Sequence, residues 1–99
     1  MLDEADDDLE RAFDHYQQQR AGLGVELVEE FRRTLDLMLA HPRAWQPLDG
    51  TYRRCRFHRF PYGVVYRIDA VADQIVIVAV MHLSDRPDAW RTRERDGDA

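Results

Sequence analysis

Apolar residues recur at helical spacing in the first forty positions of the chain. Residues 3–19 are predicted to form one helix, because its apolar stripe follows the spacing i, i+3, i+4, i+7. The members of this stripe are Leu9, Ala12, Phe13 and Tyr16. Residues 24–40 are predicted to form a second helix with one apolar face. That face consists of Leu27, Val28, Phe31, Leu35, Met38 and Leu39.

The boundaries of the two helices are marked by residues that favour helix ends. Asp3 is the expected N-cap of the first helix, and the acids at positions 4, 6, 7 and 8 suit the positive end of a helix dipole. Gly22 and Gly24 predict a tight turn, so the helices should form an antiparallel hairpin. His41 precedes Pro42, which predicts the end of the second helix.

After residue 51 the hydrophobic period changes to two, which predicts strands. The predicted strands are 52–57, 62–69 and 74–82, preceded by a loop over 43–51. The last strand is apolar on both faces and needs cover on both, whereas a helical hairpin covers only one. We therefore predict a single α+β domain over residues 1–99, in which the hairpin packs on a small antiparallel sheet of about three strands. A short polar C-terminal tail follows the sheet.

The second predicted strand begins in an unusual stretch, RFPYGVVYR, at residues 59–67. Pro61 lacks an N–H group and suits a bend or the first residue of a strand. Gly63 allows a bulky group to approach the sheet closely. Arg59 and Arg67 mark the two ends of the apolar run.

Charge is distributed unevenly along the chain. Residues 1–50 carry five Arg and twelve acids, for a net charge of −7, whereas residues 51–99 carry nine Arg and seven acids, for +2. The segment 51–67 holds five Arg and no acid. This asymmetry fits an anionic partner for one face, and it fits equally well arginines that solubilise a sheet.

Several classes of site have no support in the sequence. Cys55 is the single cysteine, which excludes an internal disulfide and suits a reducing compartment. No apolar run reaches membrane-spanning length, so we expect a cytoplasmic protein without a membrane partner. No metal-ligand spacing is present, and neither a metal nor a cofactor is expected. The negative net charge of −5 argues against specific DNA binding by the chain alone.

Four stretches together resemble the RelE/ParE superfamily of toxins from bacterial type II toxin–antitoxin modules. They are DLERAFDHYQQQRAGLG, RFPYGVVYRI, IVIVAVMH and HLSDRPDAWRTR. The last contains the pattern His82, Arg86, Pro87, Trp90, Arg93. Members of the superfamily usually begin with a strand before the first helix, and here only Met1-Leu2-Asp3-Glu4-Ala5 stands in its place. Either an antitoxin fills that gap, or the true protein starts upstream.

The resemblance implies two incompatible mechanisms. RelE-like toxins are ribosome-dependent mRNA endonucleases, whereas ParE-like toxins inhibit DNA gyrase by binding it. RelE-like enzymes place an Arg where this chain has Gly63, and a catalytic Tyr or His near the C-terminus. The nearest equivalents of that Tyr or His here are Trp90, which cannot exchange a proton, and His82 at the end of the last strand. If the chain is a nuclease, the candidate catalytic residues are His82, Arg67 and Arg86; we assign none as catalytic.

The favoured interpretation is a ParE-like gyrase inhibitor neutralised by a cognate antitoxin. A RelE-like nuclease acting on ribosome-bound mRNA is the alternative, and a non-toxic decoy that binds antitoxin is the second. We expect Arg54, Arg56 and Arg67 to share one sheet face with Arg86 nearby. The antitoxin is expected on the apolar second face and on the edge left by the missing strand. The full set expected to bind target or antitoxin is Arg54, Arg56, Arg59, Arg67, His82, Arg86, Trp90 and Arg93.

Overall fold

The computed structural model describes residues 1–86 and 88–94. Two helices, α1 at Asp3–Gln19 and α2 at Leu23–Ala40, precede an antiparallel sheet. The strands are β1 (Gln46–Pro47), β2 (Tyr52–Arg56), β3 (Tyr62–Asp69) and β4 (Gln74–His82), and their order in the sheet is β1-β2-β3-β4. The predicted α+β class is confirmed. Neither helix in the described ranges has the length and apolar character needed to cross a bilayer.

The sheet has a fourth strand because part of the predicted loop pairs with β2. Gln46 lies opposite Arg54 and Pro47 opposite Arg53. A two-residue strand is too short to show alternation, so the hydrophobic pattern could not reveal it. Its functional consequence is that the Gln46 side chain lies beside the arginines of β2.

The helical hairpin forms as predicted, but its first cap differs. Asp3 is the first helical residue, and Leu2 occupies the N-cap position without a side-chain hydrogen bond. The prediction of Asp3 as the N-cap is therefore wrong. The hairpin closes at Gly22, whose φ of 91° is readily adopted by glycine. At Gly24 the helices approach closely, because a Cβ there would lie 2.6 Å from the Phe13 carbonyl oxygen.

The larger apolar core lies between the hairpin and one face of the sheet. Its fully buried members include Leu27 and Met38 from α2, and Val64 and Tyr66 from β3. Leu9, Tyr16 and Leu35 pack against the same core, which confirms that most of each helical stripe faces the sheet. Leu39 was predicted on the second stripe, but its side chain is 66% exposed. The parity of the last strand is also fixed, since Ile75 and Ile77 join this core while Val76 and Val78 face away.

The chain's own tail covers part of the second sheet face, which was expected to lie open for an antitoxin. The Trp90 side chain is buried and packs with Val65, Val78 and Ala79 in a smaller core. Its ring lies 4.5 Å from that of Tyr52, measured between centroids. Trp90 therefore shields these apolar residues of the sheet from solvent.

The edge of the sheet at β4 is occupied in its central part. The Leu2 N–H donates to the Ile77 carbonyl oxygen at 2.9 Å. The Val80 N–H donates to the Asp8 carboxylate at 2.9 Å, and the Val78 carbonyl accepts from Arg93 at 3.1 Å. These contacts satisfy backbone groups that an edge strand would otherwise expose to another chain. The edge expected to await an antitoxin is thus blocked between Ile77 and Val80.

Candidate functional site

The strand register places three of the predicted arginines on the tail side of the sheet. Arg54 lies opposite Val65, Arg56 opposite Gly63, and Arg67 opposite Tyr52. Residues opposite each other in an antiparallel pair share a face, and Val65 belongs to the tail-side core. We call this surface the arginine face: Arg54, Arg56 and Arg67, with the tail residues beside them.

Gly63 has a specific role beneath Arg54. A Cβ at position 63 would lie 3.0 Å from both Cγ and Cδ of Arg54. The absence of a side chain lets the Arg54 stem lie across β3, where it reaches Gln46 and donates to its Oε1 at 2.9 Å. The arginine Nε is buried and has no hydrogen-bond partner among the described residues. Gly63 therefore leaves room for the Arg54 side chain to lie across β3.

Arg67 is neutralised by a residue that the sequence did not single out. Its Nε and Nη2 donate to the two carboxylate oxygens of Glu94 at 2.9, 3.0 and 2.8 Å. The Tyr52 hydroxyl donates to the same carboxylate at 2.7 Å. Hydrogen bonding from Arg67 holds the pKa of Glu94 below its usual value, against the opposing effect of burial. Arg67 therefore holds the tail against the sheet, and Glu94 largely neutralises its charge.

The Glu94 anchor predicts a loss of tail attachment in acid. Because its pKa is lowered in the folded state, its stabilisation is present above the ordinary pKa of 4.5 and is lost as the pH falls through the folded-state pKa. In a Trp45→Phe background, Trp90 fluorescence should shift toward the solvent-exposed value in that range. Glu94→Gln should cost about 1–2 kcal/mol at neutral pH and flatten this acid transition. An unchanged transition in Glu94→Gln would show that another group controls the tail.

Arg93 forms a second anchor with Asp8 of α1. Its Nη1 and Nη2 donate to the two Asp8 carboxylate oxygens at 2.5 and 3.0 Å. The Asp8 side chain is only 4% exposed, and it also accepts from Arg11 at 2.6 Å. Arg93 is therefore a structural residue that joins the tail, α1 and the β4 edge. We call this group the Asp8 clamp: Asp8, Arg11, Val80 and Arg93.

The His82 ring packs on the helix side of β4, and the residue also lines a pocket with Arg54 and Arg86 at the end of the sheet. The imidazole ring packs edge-on against Tyr62, with 5.1 Å between centroids, and Tyr62 belongs to the helix-side core. Its Nδ1 lies 3.0 Å from the Ser84 backbone N–H donor and 2.7 Å from the Ser84 hydroxyl. The Asp85 carboxylate accepts from the His82 backbone N–H at 3.1 Å. The imidazole is thus held by its own turn.

The remaining predicted residues divide between the two sides of the molecule. Arg59 pairs with Glu26 of α2 at 2.8 Å, so it lies on the helix side. Arg56 is exposed on the arginine face. The Arg86 side chain is 86% exposed and lies 4.0 Å from Asp88. Pro87, the remaining member of the tail pattern, lies outside the described residues.

Sequence reasoning missed the acidic partners that fix the tail. The acids near the N-terminus were interpreted as a group that suits the helix dipole, yet Asp8 is buried. Its position offered a signal, because Ala5, Asp8 and Ala12 follow helical spacing and are all buried. An acid centred on a buried stripe requires a cationic partner. Glu94 offered no comparable signal.

Comparisons with known proteins agree with this architecture. A structure described as the chromosomal ParDE TA system from P. aeruginosa matches with a TM-score of 0.70 and 19% identity, covering 82% of this chain and 89% of that chain. At that identity it supports the fold alone. No curated protein sequence matches. The family described as the ParE toxin of the type II toxin–antitoxin system parDE matches residues 1–87. The chain therefore belongs to the ParE toxin family.

Proposed function

We propose that this chain inhibits growth in the cytoplasm by binding DNA gyrase, and that a cognate antitoxin holds it inactive. Membership of the ParE toxin family supports the toxin role and the existence of an antitoxin partner. We further propose that the target is gyrase and that the toxin acts by binding it. Both proposals rest on how the structure distributes the residues that a nuclease would need.

The observation that carries the proposal is that two arginines of the sheet and tail are already neutralised by carboxylates of the same chain. A general acid or base must lie within hydrogen-bond reach of the reacting atom, beside groups that stabilise the phosphate. His82 packs on Tyr62 on the helix side. Arg67 is paired with Glu94, and Arg93 with Asp8. The described residues therefore favour a surface that binds a partner over one that cleaves RNA.

A direct test places the two mechanisms side by side. The purified toxin should inhibit DNA supercoiling by gyrase and leave ribosome-bound mRNA intact. Addition of the antitoxin should restore supercoiling. Cleavage of mRNA on the ribosome, with gyrase unaffected at the same toxin concentration, would contradict the proposal and favour the RelE-like alternative.

His82→Ala provides an independent prediction. If the protein works by binding through the arginine face, growth inhibition should stay within about twofold of wild type. A nuclease that used His82 as its acid or base should instead lose about 10²–10⁴ in rate. His58→Ala is the matched control, because His58 is an exposed histidine in the loop between β2 and β3. Loss of toxicity in His82→Ala alone, with an unchanged fold and unchanged antitoxin binding, would assign a catalytic role to His82.

A further inference from the structure

A pocket of about 300 Å³ lies where the loop after α2, the turn between β1 and β2, and the end of β3 meet. Its lining includes two arginines, Arg43 and Arg53, together with Thr51 and the apolar residues Pro47 and Ile68. No carboxylate lines it in the part of the chain that the structure describes. We call it the two-arginine pocket, after Arg43 and Arg53. It therefore combines positive charge with an apolar wall.

The two-arginine pocket is separate from the arginine face. Arg53 lies opposite Tyr66 in the sheet, and Tyr66 belongs to the helix-side core. Successive side chains of a strand point to opposite faces, so Arg53 and Arg54 lie on opposite sides of β2. The surface considered for gyrase or antitoxin thus does not include this pocket.

The two arginines are not neutralised within residues 1–86 and 88–94. The Arg43 side chain is exposed and forms neither an ion pair nor a hydrogen bond there. Arg53 also forms no ion pair, and its Nη1 donates to the Trp45 carbonyl oxygen at 2.9 Å. Two guanidinium groups that line one pocket repel each other, and an anion between them would turn that repulsion into attraction.

The acids closest in sequence to the pocket serve other partners. Asp49 precedes the β1–β2 turn residue Gly50, and its carboxylate pairs with Arg91 of the tail. Asp69 follows Ile68, and its carboxylate accepts from the Ala72 backbone N–H at 3.1 Å. The same carboxylate lies 4.0 Å from Arg67. Neither acid is therefore positioned to neutralise the pocket.

The loop that carries Arg43 is fixed on both sides of that residue. The Tyr66 hydroxyl donates to the Pro42 carbonyl oxygen at 2.6 Å. The Trp45 carbonyl oxygen accepts the hydrogen bond from Arg53. A site whose backbone is ordered before a ligand arrives loses less conformational entropy on binding. The cationic groups are thus presented on a rigid frame.

The charge and size of the pocket indicate the class of ligand. A phosphate monoester carries a charge of about −1.5 to −2 at neutral pH, which matches two arginines, whereas a single carboxylate would neutralise only one. Arginine also matches phosphate geometry with paired N–H donors. Small-molecule pockets begin at about 300 Å³, so the ligand must be compact. Pro47 and Ile68 offer its apolar part a surface away from water.

The pocket favours a small phosphorylated molecule over a nucleic acid. Tyr52 is the one aromatic residue that lines it among the described residues, and the Tyr52 ring lies 4.5 Å from the Trp90 ring between centroids. Single strands bind mainly by stacking several bases on aromatic side chains. The chain also carries a net charge of −5, which opposes a long phosphate backbone.

We propose that the two-arginine pocket binds a small organic phosphate monoester. Arg43 and Arg53 hold the phosphate group, and the apolar group of the ligand lies against Pro47 and Ile68. This inference goes beyond the proposed function and does not depend on it, because the pocket and the arginine face lie on opposite sides of β2.

The probe is phenyl phosphate, titrated into the full-length protein and followed by NMR. The side-chain Nε signals of Arg43 and Arg53 and the amide signal of Thr51 should shift and reach saturation. Inorganic phosphate lacks the ring and phenol lacks the charge, so each should bind about fivefold or more weakly. A short oligothymidylate should not displace phenyl phosphate. Added salt should weaken binding, because the site is open to solvent.

Arginine variants test which groups hold the phosphate. Arg43→Gln and Arg53→Gln should each weaken phenyl phosphate binding about tenfold, the effect of losing a charge-assisted hydrogen bond. Arg33→Gln is the matched control, because Arg33 is exposed on α2 and does not line the pocket. Arg43 is also exposed, so its replacement should leave the fold intact even if Arg53→Gln loosens the loop.

Four outcomes would overturn this inference. The site is excluded if phenyl phosphate causes no saturable shift, or if Arg43→Gln and Arg33→Gln bind it equally well. Equal affinities for phenyl phosphate and inorganic phosphate would refute the apolar contact and with it an organic ligand. Displacement of phenyl phosphate by oligothymidylate, lost in Arg43→Gln, would identify a nucleic-acid site in place of a small-molecule site.

Discussion

Replacing Phe31 by alanine is expected to lower the free energy of unfolding by about 3–5 kcal/mol. The Phe31 side chain is 7% exposed and packs near Phe57, with ring centroids 6.4 Å apart. It lies in the core between the hairpin and the sheet, where a truncated ring leaves a cavity that close-packed neighbours fill only in part. A domain of this size has a total stability of about 5–10 kcal/mol. The variant should therefore be largely unfolded under mild denaturing conditions.

Urea unfolding followed by circular dichroism measures this effect. Leu37→Ala is the matched control, because Leu37 lies on the same helix and is 48% exposed. The control should shift the unfolding midpoint only slightly, since exposed positions contribute little. Equal midpoints for Phe31→Ala and Leu37→Ala would show that α2 does not present this face to the sheet.

Replacing Asp8 by alanine is expected to cost about 3–5 kcal/mol, the range for removing one partner of a buried ion pair. The Arg93 guanidinium, only 16% exposed, would lose its carboxylate. The Val80 N–H would lose its acceptor at the same time. Asp8→Asn should cost less, because the amide oxygen can still accept from Val80.

The control for the Asp8 clamp lies one residue earlier. Asp7→Ala removes an exposed acid from the same turn of α1 and should be nearly neutral. A double-mutant cycle with Arg93→Ala should show strong coupling, because the two side chains share hydrogen bonds. Additive costs in that cycle would mean that the tail is held by Trp90 and Glu94 without help from the clamp.

The fold could largely be predicted from the sequence because its elements carry strong periodic signals. The stripe from Leu9 to Tyr16 predicted α1 over 3–19, and the observed helix is Asp3–Gln19. The strands at 62–69 and 74–82 were predicted with their observed limits. The face of β4 that meets the helices remained undecided, because that strand is apolar on both faces. Packing settled it by burying Val80 against the hairpin and Ala79 beneath the tail.

The site was harder to predict because it depends on pairs that are distant in sequence. A run of arginines shows where positive charge lies along the chain, but it does not show which carboxylate neutralises each one. Arg67 and Glu94 meet across 27 positions, and without the tertiary structure Arg67 resembles a free cation. Trp90 presented the same difficulty, because a tail tryptophan can anchor a partner or cover its own sheet. The structure shows that it covers the sheet.

Asp8 and Arg93 of the Asp8 clamp are 85 positions apart, so the ribosome adds Arg93 well after Asp8. Ribosomes extend a chain at about 5–20 residues per second, and roughly 4–17 s therefore separate the appearance of Asp8 from that of Arg93. Strand β4 ends at His82, so the complete sheet lacks Arg93 only for the last 11 residues of this time, or about 0.6–2 s. A partner translated nearby would meet an open sheet during this interval and a closed one after release.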